Sequence, residues 1–371
     1  MATIKLYPTS NVSVGHSVSP SGSSGYTCIN DVTADDDTSY LYDETSGSLT
    51  NQTASSSKES TFVVSTSEVS RKIYLQSIQF LTRHKKTDSD VTTSQVQISC
   101  SINGGNYSST SSSNSTTSYA NYTGSLSPSG LNTIYNSFSA ANIRVKLNSN
   151  ITVSSKSDIG IRITQVYLTA TYLPIYNCST FAVEGIDSVS VSSSEVKEGD
   201  NCTFTATVSN GYRFAGWYSD QSCTQRVSTS TSYTTSISSD TTLYAKANLL
   251  YTVNAVAGQY CTVSPSSVTD VIGTSVTFTC TPSDNMKEFV GWYSNSEMTS
   301  LITTNNPYTF NISQSTTIYA KCKLKYKMLM KLNGSWVESR NVYKKINGAW
   351  VLQDDISNIF DTSKNYKIIQ V

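Results

Sequence analysis

The segment Gly211-Tyr-Arg-Phe-Ala-Gly-Trp-Tyr-Ser219 decides the fold of this chain, because it returns as Met286-Lys-Glu-Phe-Val-Gly-Trp-Tyr-Ser294. The strand-like segment Asp240-Thr-Thr-Leu-Tyr-Ala-Lys246 likewise returns as Ser315-Thr-Thr-Ile-Tyr-Ala-Lys321. Both segments are shifted by 75 residues. A fixed period with the same placement of aromatic residues indicates two tandem copies of one small module.

Each copy also carries a strand pattern ahead of its tryptophan. Apolar and polar residues alternate over Cys202–Val208 and again over Val276–Cys280. When apolar residues recur at every second position, one face of the strand points toward a core. Because a tryptophan buries roughly 150–250 Å², the ring in each copy is predicted to fill that core, with ligand stacking as the alternative. The predicted core residues of the repeats are Trp217, Tyr244, Trp292 and Tyr319.

These motifs resemble the internalin-type B repeat, also called the Listeria–Bacteroides repeat, a small β-domain of bacterial and phage surface proteins. The resemblance rests on the pattern G-Y-x-F-x-G-W-Y, then a turn-rich stretch, then T-T-L-Y-A-K. It implies two small Ig-like or β-grasp-like modules, at residues 175–249 and 250–326. No spacer separates the two, so a semi-rigid array is expected rather than beads on a flexible tether.

Residues 1–174 are predicted to form a jelly-roll-like β-sandwich, which makes the whole chain all-β. Apolar and polar residues alternate over Val96–Ile102, and this run ends at Asn103-Gly104, a hairpin-type turn signal. A last long strand is expected from Ile159 to Tyr172, with a bulge near Thr164-Gln165. Two further segments are interpreted as irregular, namely a surface loop over Ser108–Ser127 and a linker over Leu173–Tyr176.

The C-terminal region, residues 327–371, repeats a shorter motif. Lys331-Leu-Asn-Gly-Ser-Trp-Val337 recurs as Lys345-Ile-Asn-Gly-Ala-Trp-Val351. Asn-Gly between apolar flanks favours a hairpin turn, so two hairpins are predicted. The motif resembles the K-x-N-G-x-W-V ending found on many phage structural proteins. Two hairpins this small cannot bury their own tryptophans, so Trp336 and Trp350 are predicted to be interface residues.

Composition argues against several classes of partner. The chain has 371 residues, with 26 basic and 26 acidic side chains, so no global field favours nucleic acid or an anionic membrane. The sequence contains no run of 18 apolar residues, so we expect no transmembrane helix. The first residues also lack the apolar segment of a secretory signal. We therefore expect a protein that is assembled in a host cytoplasm and released by lysis, as virion proteins are. A surface protein whose export signal is missing from this sequence would show the same features and is the alternative.

The eight cysteines do not follow the repeat. Cys223 aligns with Met298, and Cys322 aligns with Ala247. Cysteines of a disulfide framework would be expected to recur in both copies of the module. The sequence also contains no C-x-x-C pair, so neither a zinc site nor a thioredoxin-like motif is indicated. The simplest interpretation is that these are buried free thiols, with a Cys261–Cys280 bridge as the alternative if the protein matures outside the cell.

Few residues suggest catalysis or metal binding. The two histidines, His16 and His84, lie near no nucleophile elbow, H-E-x-x-H pair or P-loop. His84 follows a strand in a basic run and is predicted to be a solvated loop residue. The acidic segment Asp31–Asp43 has oxygen ligands suited to calcium, but its spacing does not match an EF-hand, and a solvated loop is favoured. No catalytic residue, metal ligand or cofactor is assigned.

A tyrosine-rich region is the best sequence candidate for binding. Tyr107, Tyr119 and Tyr122 lie among serines and asparagines, which is the composition of an antibody paratope. Tyrosine offers a large contact area at a low entropy cost, so weak binding to glycans or to a neighbouring protein is one interpretation. A polar loop without a ligand is the other.

These observations favour a non-enzymatic bacteriophage virion protein that is exposed on the particle as a capsid decoration or head fibre. Its expected partners are other virion proteins of the capsid or tail, further copies of itself, and host-surface or mucosal glycans. The alternatives are a tail or neck appendage that binds a receptor, and a bacterial cell-surface adhesin that binds glycans. A glycosidase is disfavoured because no pair of carboxylates stands out.

Overall fold

The computed structural model describes residues 1–19, 21, 23–29, 40–45, 53–64, 69–108, 111–154, 159–285, 287–325, 328–332, 335–339, 343–346 and 349–352. These residues form β-strands joined by turns, together with two short 3-10 helices, Gly25–Cys28 and Ser139–Ala141. The predicted all-β fold class is therefore confirmed. None of the helices in this part of the chain has the length and apolar character needed to cross a membrane.

The chain divides into two compact units. The first contains Met1–Phe181, Ser190–Thr205 and Ser232–Leu243, and the second contains Ala182–Val189, Ala206–Thr231 and the described residues from Tyr244 onward. The division passes through the first repeat, so the two parts of that repeat are described separately. The boundaries after residues 174, 249 and 326 stay predictions.

The first twelve strands of the chain build a sandwich of two antiparallel layers in the first unit. One layer is a five-stranded sheet in the order β2-β5-β11-β7-β8. In the other layer β6 lies between β9 and β12, while β10 pairs with β6, β1 and β4 pair with β12, and β3 pairs with β4. The strands are β1 (Ala2–Leu6), β2 (Pro8–Val14), β3 (Ser17–Ser19), β4 (Tyr40–Glu44), β5 (Thr53–Val64), β6 (Ile73–Lys86), β7 (Val91–Ser101), β8 (Ser111–Asn114), β9 (Ala120–Leu126), β10 (Thr133–Tyr135), β11 (Arg144–Ser154) and β12 (Gly160–Ala182).

Alternation along the central strands creates the core of the sandwich. On β11 the buried positions are Val145, Leu147, Ser149, Ile151 and Val153, and the residues between them point outward. This is the period of two expected of a strand with one buried face. The register of β12 on β6 shifts between Ile163 and Gln165, which confirms the bulge predicted there.

Two segments interpreted as irregular are strands instead. The Ser/Thr-rich region expected to be a surface loop contains β8 and β9, because backbone pairing with β7 and β6 satisfies its polar groups. The expected linker Leu173–Tyr176 lies inside β12, where Pro174 is opposite Ile73. Composition misled the interpretation in both places, since strand formation depended on neighbours distant in sequence.

Fourteen strands follow in the region of the two repeats. They are β13 (Ile186–Val191), β14 (Glu195–Lys197), β15 (Asn201–Val208), β16 (Tyr212–Tyr218), β17 (Arg226–Ser228), β18 (Ser232–Ser236), β19 (Thr241–Ala257), β20 (Cys261–Ser264), β21 (Ser267–Val271), β22 (Ser275–Pro282), β23 (Lys287–Tyr293), β24 (Leu301–Thr303), β25 (Tyr308–Asn311) and β26 (Thr316–Leu324).

The second repeat lies wholly in the second unit and shows the module's plan. One sheet has the order β20-β22-β25, and β23 pairs with both β24 and β26 in the other. Between them Trp292 is completely buried, with ring centroids 5.9 Å from Phe289 and 6.4 Å from Phe278. In the first repeat, β16 pairs with β17 and β19 in the same way.

The region after the repeats contains two antiparallel strand pairs. β27 (Met328–Leu332) pairs with β28 (Ser335–Ser339), and β29 (Tyr343–Ile346) pairs with β30 (Ala349–Leu352). Trp336 lies on β28 and Trp350 lies on β30. The Asn-Gly positions between the strands, and the side chains of both tryptophans, lie outside what the structure describes, so their interface role stays a prediction.

Candidate functional site

A polar groove crosses the outer face of the sheet formed by β9, β6 and β12 in the first unit. The strand register creates it, because Leu81 on β6 is opposite Thr123 on β9 and Tyr167 on β12. The groove encloses a volume of about 310 Å³, at the lower end of the range of small-ligand sites. It is lined by Gln79, Phe80, Leu81, Thr123, Gly124, Ser125, Tyr167 and Thr169.

One wall of the groove is aromatic. The Tyr167 ring packs against Tyr7, with centroids 5.4 Å apart, and the ammonium of Lys5 lies 4.7 Å from the Tyr167 centroid. Among the described residues, the rest of the lining offers hydroxyl groups, one amide, two apolar side chains and backbone groups, without a carboxylate, imidazole or thiol. The described lining can therefore form hydrogen bonds and apolar contacts with a ligand.

The three tyrosines proposed as binding residues do not line this groove. The ammonium of Lys85 lies 4.3 Å from the Tyr119 ring centroid, and that of Lys146 lies 4.3 Å from the Tyr107 centroid. Tyr122 stacks on His84, and its hydroxyl accepts a hydrogen bond from a backbone N–H. All three rings thus have partners within the chain, and their role in binding stays a prediction.

His84 is not the solvated loop residue that the sequence suggested. It lies inside β6 and is completely buried, with its ring 4.0 Å from that of Tyr122 and Nδ1 2.8 Å from Ser115 Oγ. Burial lowers the pKa of His84 to about 3, because the charged form would lose its hydration. The prediction failed because the basic residues around His84 suggested a turn, whereas β6 continues to Lys86.

His16 belongs to a buried chain of polar groups. Its Nδ1 lies 2.8 Å from Ser60 Oγ, and its Nε2 lies 3.0 Å from Ser149 Oγ. Ser149 in turn donates to Asp43 Oδ2 over 2.6 Å, and Lys58 Nζ lies 3.9 Å from Asp43 Oδ1. Asp43 contacts the serine rather than the histidine, so the geometry is not that of a hydrolytic triad. We interpret this buried chain of polar groups as structural.

Most of the acidic segment considered for calcium, residues 31–39, lies outside the described residues. Its last carboxylate, Asp43, is buried and belongs to the polar chain just described. In the repeats, Trp217 and Trp292 are completely buried, while Tyr244 and Tyr319 are half-buried. The burial of both tryptophans is what a core role requires. The two tyrosines alternate with the buried residues Leu243, Ala245, Ile318 and Ala320, so they lie on the opposite face of their strands, and their core role stays a prediction.

Sequence reasoning missed a cluster of three cysteines in the second repeat. The sulfur atoms of Cys261, Cys280 and Cys322 all lie within 4.8 Å of one another. Cys280 and Cys322 are buried, Cys261 is half-buried, and all three are free thiols. Alignment of the two repeats could have indicated the cluster, because Cys280 and Cys322 of the second copy align with Ala206 and Ala247 of the first. The free thiols agree with the simplest interpretation of the sequence, and the alternative, a Cys261–Cys280 bridge, is not formed.

Comparison with known proteins identifies the repeated module. Residues 180–246 and 251–321 each match the family model of the Listeria–Bacteroides repeat domain. The chain contains two Listeria–Bacteroides repeat domains. This confirms the family resemblance for that part of the chain. The glycine-tryptophan motif of each repeat domain lies on β16 or β23, where the indole ring fills the module's interior.

The remaining comparisons are uninformative about activity. No curated protein matches the chain significantly. The crystal structure of the Spr0440 glycoside hydrolase domain, Endo-D from Streptococcus pneumoniae R6, aligns at 11% identity and a TM-score of 0.22, over 64% of this chain and 32% of that one. The chain thus matches about a third of that structure. A likeness this weak carries no argument about fold or function.

Proposed function

We propose that this chain is a non-enzymatic bacteriophage virion protein that is exposed on the particle surface as a capsid decoration or head fibre. In this proposal the N-terminal sandwich binds glycans on the host surface or in mucus. The observation that supports glycan binding is the groove beside Tyr167, whose described lining offers hydrogen-bonding groups and an aromatic wall without a carboxylate, imidazole or thiol.

The chemistry of the groove suits a neutral sugar. Sugar hydroxyl groups can exchange hydrogen bonds with Gln79, Thr123 and Thr169, while the side chains of Leu81 and Tyr167 offer apolar contact surface. Hydrolysis of a glycosidic bond requires two flanking carboxyl groups in most families. The described lining of the groove supplies neither, which supports binding rather than cleavage.

The two repeat domains serve as scaffold in this proposal. Trp217 and Trp292 are buried in the modules and cannot stack on a ligand. Small modules in tandem extend a chain without a large single core, which suits a protein that displays a binding domain. Assembly in the host cytoplasm, self-association and contacts with capsid or tail proteins belong to the same proposal.

Location on the virion is tested with purified phage particles. Mass spectrometry of gradient-purified particles should detect the chain, and an antibody raised against it should decorate the capsid in electron micrographs. Decoration of the tail or neck would favour the appendage alternative. Detection only on the surface of uninfected bacteria would favour the adhesin alternative and refute the virion proposal.

Glycan binding is tested with neutral polysaccharide from the host surface. We expect weak binding that Tyr167→Ala reduces by about tenfold or more, with Tyr74→Ala, outside the groove, as the matched control. Equal binding by the parent and Tyr167→Ala would refute the proposed site. Release of reducing sugar ends during the incubation would refute the non-enzymatic assignment.

A further inference from the structure

The three sulfur atoms of the second repeat domain come from three different strands. Cys261 opens β20, Cys280 lies on β22, and Cys322 lies on β26. The first two belong to one sheet and the third belongs to the other, so the cluster joins the two layers of the module. The sulfur atoms of Cys280 and Cys322 are 3.7 Å apart.

The register explains why the thiols converge. In the β20–β22 pair, Val263 is opposite Cys280 and Cys261 is opposite Pro282. Cys261 and Cys280 are therefore diagonal neighbours on the same face, within reach of each other's side chains. In the other sheet Cys322 is opposite Phe289, whose ring packs on Trp292. All three side chains thus point into one core.

The backbone closes one side of the cluster. The thiol of Cys261 lies 3.6 Å from the carbonyl oxygen of Gly258 and 3.8 Å from that of Ala320. A Cβ at position 258 would come within 2.6 Å of the Ala320 oxygen and 2.8 Å of Met298 Cε. Only glycine at position 258 allows the backbone to approach the Ala320 carbonyl group this closely. The Met298 side chain packs against the same glycine.

The fold does not need these cysteines. By alignment the first repeat domain has Ile186 at the position of Cys261, Ala206 at that of Cys280 and Ala247 at that of Cys322. Ala206 and Ala247 are buried, as their cysteine counterparts are. Apolar residues thus occupy the same three positions in the first repeat domain. Packing of the fold therefore does not require thiols there, and the thiols give the second domain an additional chemical property.

We propose that Cys261, Cys280 and Cys322 form a binding site for a thiophilic divalent cation, with Zn²⁺ as the physiological ion. Cysteine sulfur is the preferred protein ligand of such ions. A tetrahedral site with Zn–S bonds of about 2.3 Å places its sulfur atoms about 3.8 Å apart, close to the 3.7 Å between Cys280 and Cys322. Cys261 is half-buried, so solvent reaches this residue, and the fourth ligand would be a water molecule.

The charge balance favours a divalent ion. Binding replaces three S–H bonds with three sulfur–metal bonds and releases three protons to solvent, without oxidation or reduction. Three thiolates with a divalent cation carry one net negative charge, whereas a monovalent cation would leave two in an apolar core. Because each thiol must lose its proton to bind the ion, affinity should fall as pH decreases.

The test titrates the reduced full-length protein with Cd²⁺ or Co²⁺ under anaerobic conditions. We expect a thiolate-to-metal charge-transfer band that saturates at one ion per chain, and displacement of Co²⁺ by Zn²⁺. Each of the substitutions Cys261→Ile, Cys280→Ala and Cys322→Ala installs the residue of the first repeat domain. Each should weaken binding by about tenfold or more.

Matched controls come from the first repeat domain, where Cys178→Val and Cys202→Val install the second domain's Val253 and Val276. These controls should bind the ion with unchanged affinity. Fluorescence of the buried tryptophans should show that every variant is folded. Unchanged binding in Cys322→Ala, loss of binding in the controls, or no charge-transfer band would each overturn the proposal.

An alternative covalent state is distinguished by mass. Isolated protein that is 2 Da lighter because of a disulfide among these three cysteines, and that binds no metal after reduction, would also overturn the proposal. Binding by the reduced protein with the expected variant pattern would support it.

Discussion

His16 and Ser149 are joined by a hydrogen bond of 3.0 Å between Nε2 and Oγ. Because the Ser149 hydroxyl donates its proton to Asp43, its oxygen accepts from Nε2–H of His16. The Ser60 hydroxyl then donates to Nδ1 of His16 over 2.8 Å. This direction of bonding is that of a neutral imidazole.

The first unit should lose stability in mild acid. Burial lowers the pKa of His16 to about 4, with the carboxylate of Asp43 opposing and the ammonium of Lys58 adding to this shift. Burial lowers the pKa of His84 to about 3. Below pH 6.5 an unfolded histidine binds a proton that the folded one does not, so stability falls as pH decreases from about 6.5 toward 4. Each histidine should cost about 2 kcal/mol between pH 8 and pH 5.

Urea unfolding at the two pH values measures this loss. All four tryptophans lie at residue 217 or later, outside the first unit. An unfolding transition that is seen by circular dichroism but not by tryptophan fluorescence is therefore assigned to the first unit. His84→Gln cannot be protonated and should show a pH dependence smaller by about 2 kcal/mol, whatever its stability at pH 8. An unchanged pH dependence in this variant would contradict the prediction.

Truncation of Trp292 should destabilise the second repeat domain. The ring is completely buried and packs on Phe278 and Phe289, so Trp292→Ala should cost about 3–5 kcal/mol. Hydrogen exchange of β22 and β26, measured by mass spectrometry, follows this domain alone. Val256→Ala on β19 is the control, because Val256 is exposed and its truncation should cost less than about 0.5 kcal/mol. Equal protection in the two variants would argue against the core role.

The two motif glycines should respond differently to alanine. A Cβ at Gly216 would lie 2.6 Å from the Ser228 carbonyl oxygen, and Gly216 has a φ of +149°. A Cβ at Gly291 would first meet the Leu301 side chain, which can move, and the nearest backbone atom is 3.1 Å away. We expect Gly216→Ala to cost about 2–3 kcal/mol and Gly291→Ala about 1 kcal/mol. The reverse order in urea unfolding would refute this reasoning.

One side chain organises the loop after the tryptophan in each repeat domain. Asp220 accepts hydrogen bonds from the N–H groups of Thr224 and Gln225, and Asn295 does the same for Thr299 and Ser300. Because an amide oxygen does this in the second domain, Asp220→Asn should preserve the loop, whereas Asp220→Ala should open it. Hydrogen exchange at Thr224 and the following residue distinguishes the two. Equal exchange in Asp220→Asn and Asp220→Ala would show that the loop does not need the accepting oxygen at position 220.

Local pattern predicted much of the fold. The repeated Gly-Trp-Tyr motif indicated two modules, and alternation over Val96–Ile102 indicated a strand of the sandwich. The turn at Asn103-Gly104 has positive φ at both residues, as that dipeptide favours. These features depend on neighbouring residues, and a period of two or a turn dipeptide reports them directly.

The groove at Tyr167 and the thiol cluster could not be predicted in this way. Leu81 meets Thr123 and Tyr167 only through the register of three strands, and Cys322 meets Cys261 only because two sheets face each other. Composition even pointed the wrong way for His84, whose strand buries it beneath Tyr122.

The amino-acid sequence by itself determined the all-β class, the tandem repeat domains and the tryptophan at the centre of each, because these follow from periodicity along the chain. Only the tertiary structure decided which side chains share a groove, a hydrogen-bonded chain or a cluster of sulfur atoms. The physical reason is that strand register and the packing of facing sheets join residues far apart in sequence, and no local pattern records those pairings.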